Sequence, residues 1–197
     1  MIELWLAMAM FSAALIISPG PGNALLAANG ASFGYRRTLG FLLGFEAANL
    51  ILSLAYGFGL VNIFDIYPLL FNLVKIAGSL YIFYLAYTFF VAPAKAQHED
   101  AKPMGFMDGL IVVMLNPKIH TMFPLVYSQF SDPTKSVNFQ VFVLTGIFVF
   151  LCVICHSVWI LGGDFINRKF QSERFLRIQN VVFGTTIALV GVYILVT

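Results

Sequence analysis

The residues of this chain whose types could do chemistry include the run CVICH, from Cys152 to His156. The pattern C-x-x-C-H attaches c-type haem, and a pair of thiols can also carry electrons. Both cysteines, however, lie in a stretch that is apolar from Val141 onward, where a haem pocket and exposed thiols are not expected. Neighbours at i and i+3 share a helix face, but their geometry suits a disulfide poorly. We therefore interpret Cys152 and Cys155 as small apolar packing residues.

A second set of reactive residues consists of charged side chains inside long apolar stretches. Lys118 lies well inside the stretch 106–130, about 18 Å along a helix from its start. A charge near the centre of a bilayer is costly and indicates function by default. We expect Lys118 to face a cavity and to pair with a substrate carboxylate or with an acid of the protein. Glu46 is predicted to pair with Lys118 or to carry a coupling proton, and a structural role beside Asn49 is the alternative.

Other ionisable residues in the apolar stretches have simpler interpretations. Lys75 can extend its alkyl stem towards a membrane surface, and Asp108 complements the dipole of a helix start. His120 and His156 could relay protons, but a hydrogen-bonded interior histidine is the favoured interpretation for both.

Two segments cannot continue as regular helix, because proline removes an N–H group and clashes with the preceding turn. The first is SPGPGN, and the second is LNPKIH. Backbone groups freed in this way must be buried in protein or line a wet cavity. Exposed N–H groups at a half-helix start favour a carboxylate, and exposed carbonyls favour a cation. The candidate substrate-binding residues are Ser18, Pro19, Gly20, Pro21 and Asn23 in the first segment, and Asn116, Pro117 and Lys118 in the second.

The elements that position these residues follow from an unusual composition, with 60% hydrophobic and only 10% charged residues. A soluble domain carries about 25% charged residues. The sequence therefore predicts an all-α integral membrane protein, since the apolar runs are continuous and long enough to cross a bilayer. Six transmembrane helices are predicted, at residues 4–28, 39–62, 68–91, 106–130, 138–162 and 177–196.

The chain is predicted to form one transmembrane domain over residues 1–197, because all its loops are short. The two broken helices are the first and the fourth, an offset of three spans, and an odd offset inverts direction. The halves 1–91 and 106–197, joined by the short cytoplasmic loop 92–105, are therefore predicted to be inverted three-helix repeats. Transporters often place paired broken helices at such a repeat interface.

The distribution of basic residues predicts the orientation of the chain. Loops 1–2, 3–4 and 5–6, together with Arg177 at the start of the sixth helix, carry eight Lys and Arg residues, whereas loop 4–5 has only Lys135. Because positive loops stay inside, both termini are predicted to be periplasmic. The G-x-x-x-G spacing of Gly40 and Gly44 predicts close packing of the second helix and leaves a homo-oligomer open.

Several segments of the chain resemble the LysE/RhtB family of amino-acid exporters. SPGPGN resembles the signature of that family's first helix, with Gly22 either inserted before Asn23 or standing where other members have Asn. GYRRTLGFLLG resembles the glycine-rich entry to its second helix, LVKIAGSLYIFYLAYTFF resembles its third helix, and GFMDGLIVVMLNPK resembles the stretch that leads to its Asn-Pro-Lys. The resemblance covers most of the chain, with a weak preference for the cysteine/O-acetylserine exporters.

The resemblance implies a secondary transporter that exports amino acids or close derivatives across the bacterial inner membrane. It also implies a proton gradient as the driving force, and no nucleotide-binding motif is present. Alternating access with Glu46 in proton coupling would be the mechanism. We predict no enzymatic activity, no cofactor, no metal and no nucleic-acid partner; the partners are the amino acid, protons and the lipid bilayer. An intramembrane thiol–disulfide electron carrier and a non-transporting membrane scaffold are the alternatives.

Overall fold

The structure, a computed structural model, describes residues 2–18, 20–59, 67–91, 102–132, 134–169 and 173–196, and this part of the chain is helical without strands. Pro19 and residues 92–101 of the predicted cytoplasmic loop lie outside the described residues. The helices, in chain order, are α1 (Ile2–Ile17), α2 (Pro21–Gly57), α3 (Pro68–Val91), α4 (Phe106–Met114), α5 (Pro117–Phe130), α6 (Val137–Lys169) and α7 (Glu173–Val196).

Helix α2 reverses its direction at Gly34. This residue has φ 76° and ψ 166°, a conformation that is essentially confined to glycine. Gly22 and Phe45 would be about 35 Å apart in a straight helix. A Cβ atom built on Gly22 would nevertheless lie only 2.6 Å from the ring of Phe45. We therefore treat α2 as two arms, α2a (residues 21–33) and α2b (residues 35–57).

The reversal at Gly34 corrects one expectation from the sequence. Arg36 and Arg37 were expected in a loop between residues 28 and 39, but they lie in the first turn of α2b. Helix continues on both sides because a single glycine provides the turn. The guanidinium of Arg37 lies 5.7 Å from the ring centre of Phe33, so a cation–π contact bridges the two arms.

Both predicted helix breaks are present. Helix α1 ends at Ile17, and α2a starts at Pro21 after an extended Gly20. Helices α4 and α5 are separated at Asn116 and meet at an angle of 65°. Each second half-helix begins with proline, whose missing N–H group costs nothing at a helix start.

The exterior of the helices is apolar. By length and composition, the described helices contain two candidate membrane spans, one within Pro21–Gly57 and one at Val137–Ile166, and the bent pair α4–α5 would make a third. Large apolar side chains are exposed along the helices, and examples are Leu6, Met10, Leu43, Leu80, Phe142, Phe150 and Leu189. A continuous apolar exterior of this kind marks a surface that meets lipid.

Glycines allow the central helices to pack with their backbones in close contact. A Cβ atom at Gly163 of α6 would overlap the carbonyl of Ala27 in α2a, and one at Gly44 of α2b would overlap the carbonyl of Phe106. The close packing predicted at Gly44 is therefore present, whereas a Cβ atom at Gly40 would only touch the backbone nitrogen of Phe106, 3.9 Å away. Small residues at such crossings are typical of helix packing in membranes.

The helices run between two ends of the molecule. Gly34 lies beside Asp164 of α6, and the backbone of Met104 is bonded to Asn29, so the connections that carry most basic residues share one end. Trp5, near the N-terminus, packs against Phe139 at the start of α6. The N-terminus therefore lies at the end opposite to the basic connections.

Candidate functional site between the two broken helices

Lys118 joins the two helix breaks directly. Its ammonium group donates hydrogen bonds to the carbonyl oxygen of Ser18 at 3.0 Å and to the Ser18 hydroxyl at 2.8 Å. Ser18 immediately follows the end of α1, and Lys118 lies in the first turn of α5. The ammonium group therefore lies at the C-terminal end of α1, where free carbonyl groups and the helix dipole favour a cation.

Polar side chains from the downstream half-helices satisfy the backbone at each break. The Asn23 amide donates to the carbonyls of Ile16 at 2.7 Å and of Ser18 at 3.0 Å. In the second break, the His120 ring donates through Nε2 to the carbonyl of Met114 at 2.7 Å. Each half-helix is thus held by the one that follows it. This bonding keeps freed backbone groups from lipid, as a bilayer requires.

A small cavity lies where the two breaks meet. Its volume is about 20 Å³, which is room for a single water molecule. Lys118, Gly20 and Gly22 line it on one side, and Asn116 lies close to Gly22. Helix α2a begins here without a side-chain cap, so the N–H groups of Gly22 and Asn23 are left for a ligand, whereas the Ala24 N–H donates to the Gly20 carbonyl. Asn116, in contrast, caps α5 by accepting a hydrogen bond from the Lys118 amide at 3.1 Å.

Glu46 pairs with His156, and its predicted pairing with Lys118 is wrong. Glu46 Oε1 lies 2.5 Å from His156 Nδ1, and both side chains are buried. The second oxygen, Oε2, accepts from the Asn49 amide at 3.4 Å. Glu46 bonds to α6 from α2b, whereas Lys118 bonds to Ser18 at the end of α1. His156 lines the cavity and connects Glu46 to it.

Cys152 and Cys155 are buried free thiols. Cys152, Glu46 and His156 bring possible metal-ligand atoms within 4.8 Å of one another. Two ligands of one tetrahedral zinc ion would lie roughly 3.3 Å apart. The Glu46–His156 contact of 2.5 Å is shorter than that, so the observed arrangement is a hydrogen-bonded pair.

The structure brings most of the predicted site residues together. Those that line one cavity are Gly20, Asn23, Asn116 and Lys118, and Ser18 is bonded to Lys118. Pro21 is buried at the start of α2a, Pro117 begins α5, and Pro19 lies outside the described residues. Glu46 lies behind His156, because it is bonded to that ring but does not line the cavity.

Sequence reasoning missed two polar residues of the cavity wall as site residues. Asn49 lies three residues after Glu46, on the same helix face, and the sequence indicated it only as a structural neighbour of Glu46. His156 had no comparable local signal, because its partner Glu46 is 110 positions away.

Two broken helices that meet at a polar cavity, on a helical scaffold with an apolar exterior, define a membrane translocator. A family model described as LysE type translocator matches residues 13–197, and the chain belongs to that family of transmembrane proteins. It is 28% identical over 184 residues to the leucine efflux proteins of Salmonella typhimurium and Salmonella typhi, covering 86% of this chain and 84% of theirs. It is also 24% identical over 191 residues to a membrane protein of Vibrio cholerae, covering 93% of this chain and 92% of that one. No solved structure matches the chain.

Proposed function

We propose that this protein exports amino acids across the bacterial inner membrane in exchange for protons, by alternating access. The observation that carries the proposal is the bond from Lys118 to Ser18, which places a partly buried cation where two broken helices meet. An intramembrane cation at such a point is expected to bind substrate. The family and the leucine efflux relatives support an amino-acid cargo.

The proposed mechanism uses six membrane crossings. The reversal at Gly34 supports counting α1 with α2a as one broken crossing and α2b as the next. The pair α4–α5 would be the fourth crossing, and α3, α6 and α7 the remaining three. Residues 1–91 and 106–197 would then be inverted repeats that rock about the cavity, with both termini in the periplasm.

The substrate carboxylate is proposed to bind Lys118 and the uncapped first turn of α2a. Both carry positive charge towards the cavity, one as an ammonium group and one as open N–H groups. With room for about one water molecule, the cavity is closed to an amino acid as it stands. Substrate entry would therefore require Lys118 to leave Ser18, and this exchange of partners links binding to movement of α1 against α5.

The Glu46–His156 pair is proposed to carry the coupling proton. A nitrogen and a carboxylate oxygen 2.5 Å apart need a proton between them. The pair connects α2b with α6, one from each half, and His156 lines the cavity. If the halves separate during transport, the shared proton can leave with one partner, which ties protonation to the conformational state.

Amino-acid uptake into proteoliposomes, driven by a pH gradient, tests the proposed function. The purified protein is reconstituted with an inside-acid pH gradient, and labelled leucine, methionine, threonine, cysteine and lysine are offered outside. We expect uptake of at least one amino acid, abolished by a protonophore and lowered at least tenfold in Lys118→Ala. Lys135→Ala is the matched control, because this lysine lies in the exposed α5–α6 loop and should transport normally.

Two results would contradict the proposal. Failure of the folded wild type to transport any amino acid would reject amino-acid export. Loss of activity in the double variant Cys152→Ala and Cys155→Ala, with folding intact, would favour the thiol–disulfide electron carrier. We expect that variant to remain active, since both thiols are free and packed in α6.

A further inference from the structure

The side-chain carbonyl of Asn49 is a buried hydrogen-bond acceptor at the cavity without a donor. Asn49 is 0% exposed and lines the cavity, and its Oδ1 atom has no hydrogen-bond partner among the described residues. Its amide nitrogen faces Glu46 Oε2, and since a carboxylate accepts, this contact fixes which way the amide points. A buried acceptor without a partner costs about 1–3 kcal/mol. A donor that enters the cavity would remove that cost.

The cavity therefore offers polar groups of opposite sign. The Lys118 ammonium and the first turn of α2a attract an anion, and the Asn49 carbonyl accepts from a cation or another donor. An α-amino acid carries a carboxylate and an ammonium group on one carbon. Its two charged groups match the two polar regions of this cavity.

The rest of the cavity wall combines Asn23, Asn116, Cys152 and His156 with an apolar part, and it lacks a carboxylate among the described residues. Its apolar residues are Ile16, Phe45, Ile119 and Met122. Glu46 does not line the cavity, and both of its oxygens are engaged, one by His156 and one by Asn49. A lysine or arginine substrate would bring a second cation close to Lys118 without an acid to pair with it, which is costly in a buried site. An aspartate or glutamate side chain would bring a second carboxylate against the apolar part of the wall.

We infer that the cavity binds a neutral amino acid with an aliphatic side chain. The carboxylate binds Lys118 and the start of α2a, the ammonium group donates to Asn49 Oδ1, and the side chain packs against Phe45 and Met122. This inference rests on the proposed export function and adds the class of substrate. It follows from the chemistry of the cavity wall, independently of the relatives' names.

A panel of ligands tests the substrate class on the wild type. Binding is measured as ligand-induced stabilisation of the purified protein, and transport as competition against labelled leucine in proteoliposomes. We expect leucine, isoleucine and methionine to compete at least tenfold better than lysine or glutamate. The 2-hydroxy acid analogue of leucine and 3-methylbutylamine, which lack the ammonium and the carboxylate group respectively, should both compete at least tenfold less well than leucine.

Variants separate the role of Asn49 from a structural one. Asn49→Leu should weaken leucine binding at least tenfold and leave binding of the 2-hydroxy acid analogue within about twofold of wild type. Asn138→Leu, at an exposed position at the start of α6, is the matched control and should change neither. Met122→Asp should shift the ratio of lysine to leucine transport at least tenfold towards lysine, because it adds a carboxylate to the wall.

The outcomes distinguish this inference from the proposed function. Lysine or glutamate transported as well as leucine would overturn the inference and leave amino-acid export standing. Equal loss of leucine and of its hydroxy analogue in folded Asn49→Leu would remove Asn49 from ammonium recognition. A folded wild type that neither binds nor transports any amino acid would overturn both.

Discussion

The polar residues of this cavity serve the backbone as well as the proposed substrate. Asn23 occupies two carbonyls at the end of α1, and Lys118 shares one of them. His120 does the same at the end of α4 and also bonds to the Tyr56 hydroxyl at 2.8 Å. Freed backbone groups are costly away from water, so these side chains make the breaks tolerable. If a substrate carboxylate draws Lys118 away from the Ser18 carbonyl, Asn23 still donates hydrogen bonds to the carbonyls of Ser18 and Ile16.

The buried pair of Glu46 and His156 gives a prediction about stability. His156→Leu leaves the Glu46 carboxyl buried with only the weak contact from Asn49, and removing one partner of a buried pair costs about 3–5 kcal/mol. We therefore expect a clear drop in the melting temperature of the detergent-solubilised protein. The double variant Glu46→Met and His156→Leu should regain most of it, because apolar residues can replace both partners. A double variant as unstable as His156→Leu would contradict this account.

Single residues of the site were predictable where the local sequence marks them. The proline breaks and the charge pattern pointed to Ser18, Asn23 and Lys118, because no regular helix can pass through SPGPGN and a lysine inside a long apolar stretch is costly. The partner of Glu46 was not predictable, since the choice between Lys118 and His156 depends on how distant helices pack. A contact between residues 110 positions apart cannot be recognised from the residues next to either of them.

Among the elements, α2 departs most from what its sequence indicates. The charges of Arg36 and Arg37 suggested a loop, and the apolar run before them suggested a helix that stops earlier. The structure keeps helix on both sides because only Gly34 leaves the helical conformation. A glycine conformation of this kind depends on tertiary packing against α6, which a single sequence does not reveal. The positions of the two proline breaks, in contrast, followed from local chemistry alone.

The backbone conformation at Gly34 predicts a strong effect of a small substitution. Gly34→Ala places a side chain where φ is 76°, which costs about 1–3 kcal/mol and perturbs the reversal of α2. The matched control is Gly40→Ala in the same helix, where the nearest atom to the new Cβ is 3.9 Å away. We expect Gly34→Ala to lower the melting temperature and the yield of folded protein, and Gly40→Ala to leave both unchanged or raised. Equal behaviour of the two variants would argue against the reversal.

Adjacent glycines in α6 test the packing of α6 against α2a. A Cβ atom at Gly163 would overlap the Ala27 carbonyl, whereas one at Gly162 meets open space. Gly163→Ala should therefore destabilise the protein by about 1–3 kcal/mol, since backbone atoms have to move. Gly162→Ala should be neutral or stabilising by up to about 1 kcal/mol, because alanine favours helix. The melting temperatures of both variants, compared with that of the wild type, test this prediction. A Gly163→Ala variant as stable as the wild type would contradict the close packing of α6 against α2a.

At the scale of the whole molecule, the path of the chain agrees with the argument from charge. The basic connections lie together at the Gly34 end, and Trp5 lies at the other end with the start of α6. A cleft of about 550 Å³ opens near the basic end between α2a, α3 and α7, with Lys102, Asp108 and Asn29 in its lining. If the basic end faces the cytoplasm, this cleft is on the side from which an exporter loads.

Labelling of single cysteines tests the orientation. In a background with Cys152→Ala and Cys155→Ala, Lys102→Cys lies at the basic end and Ser136→Cys at the opposite end, and both positions are exposed. Because positive segments stay inside, a membrane-impermeant maleimide should label Ser136→Cys in intact cells, and Lys102→Cys only after the membrane is opened. Inside-out vesicles should reverse the pattern, which controls for reactivity. Labelling of Lys102→Cys in intact cells would place the 550 Å³ cleft outside and would make it an exit, or the entry of an importer.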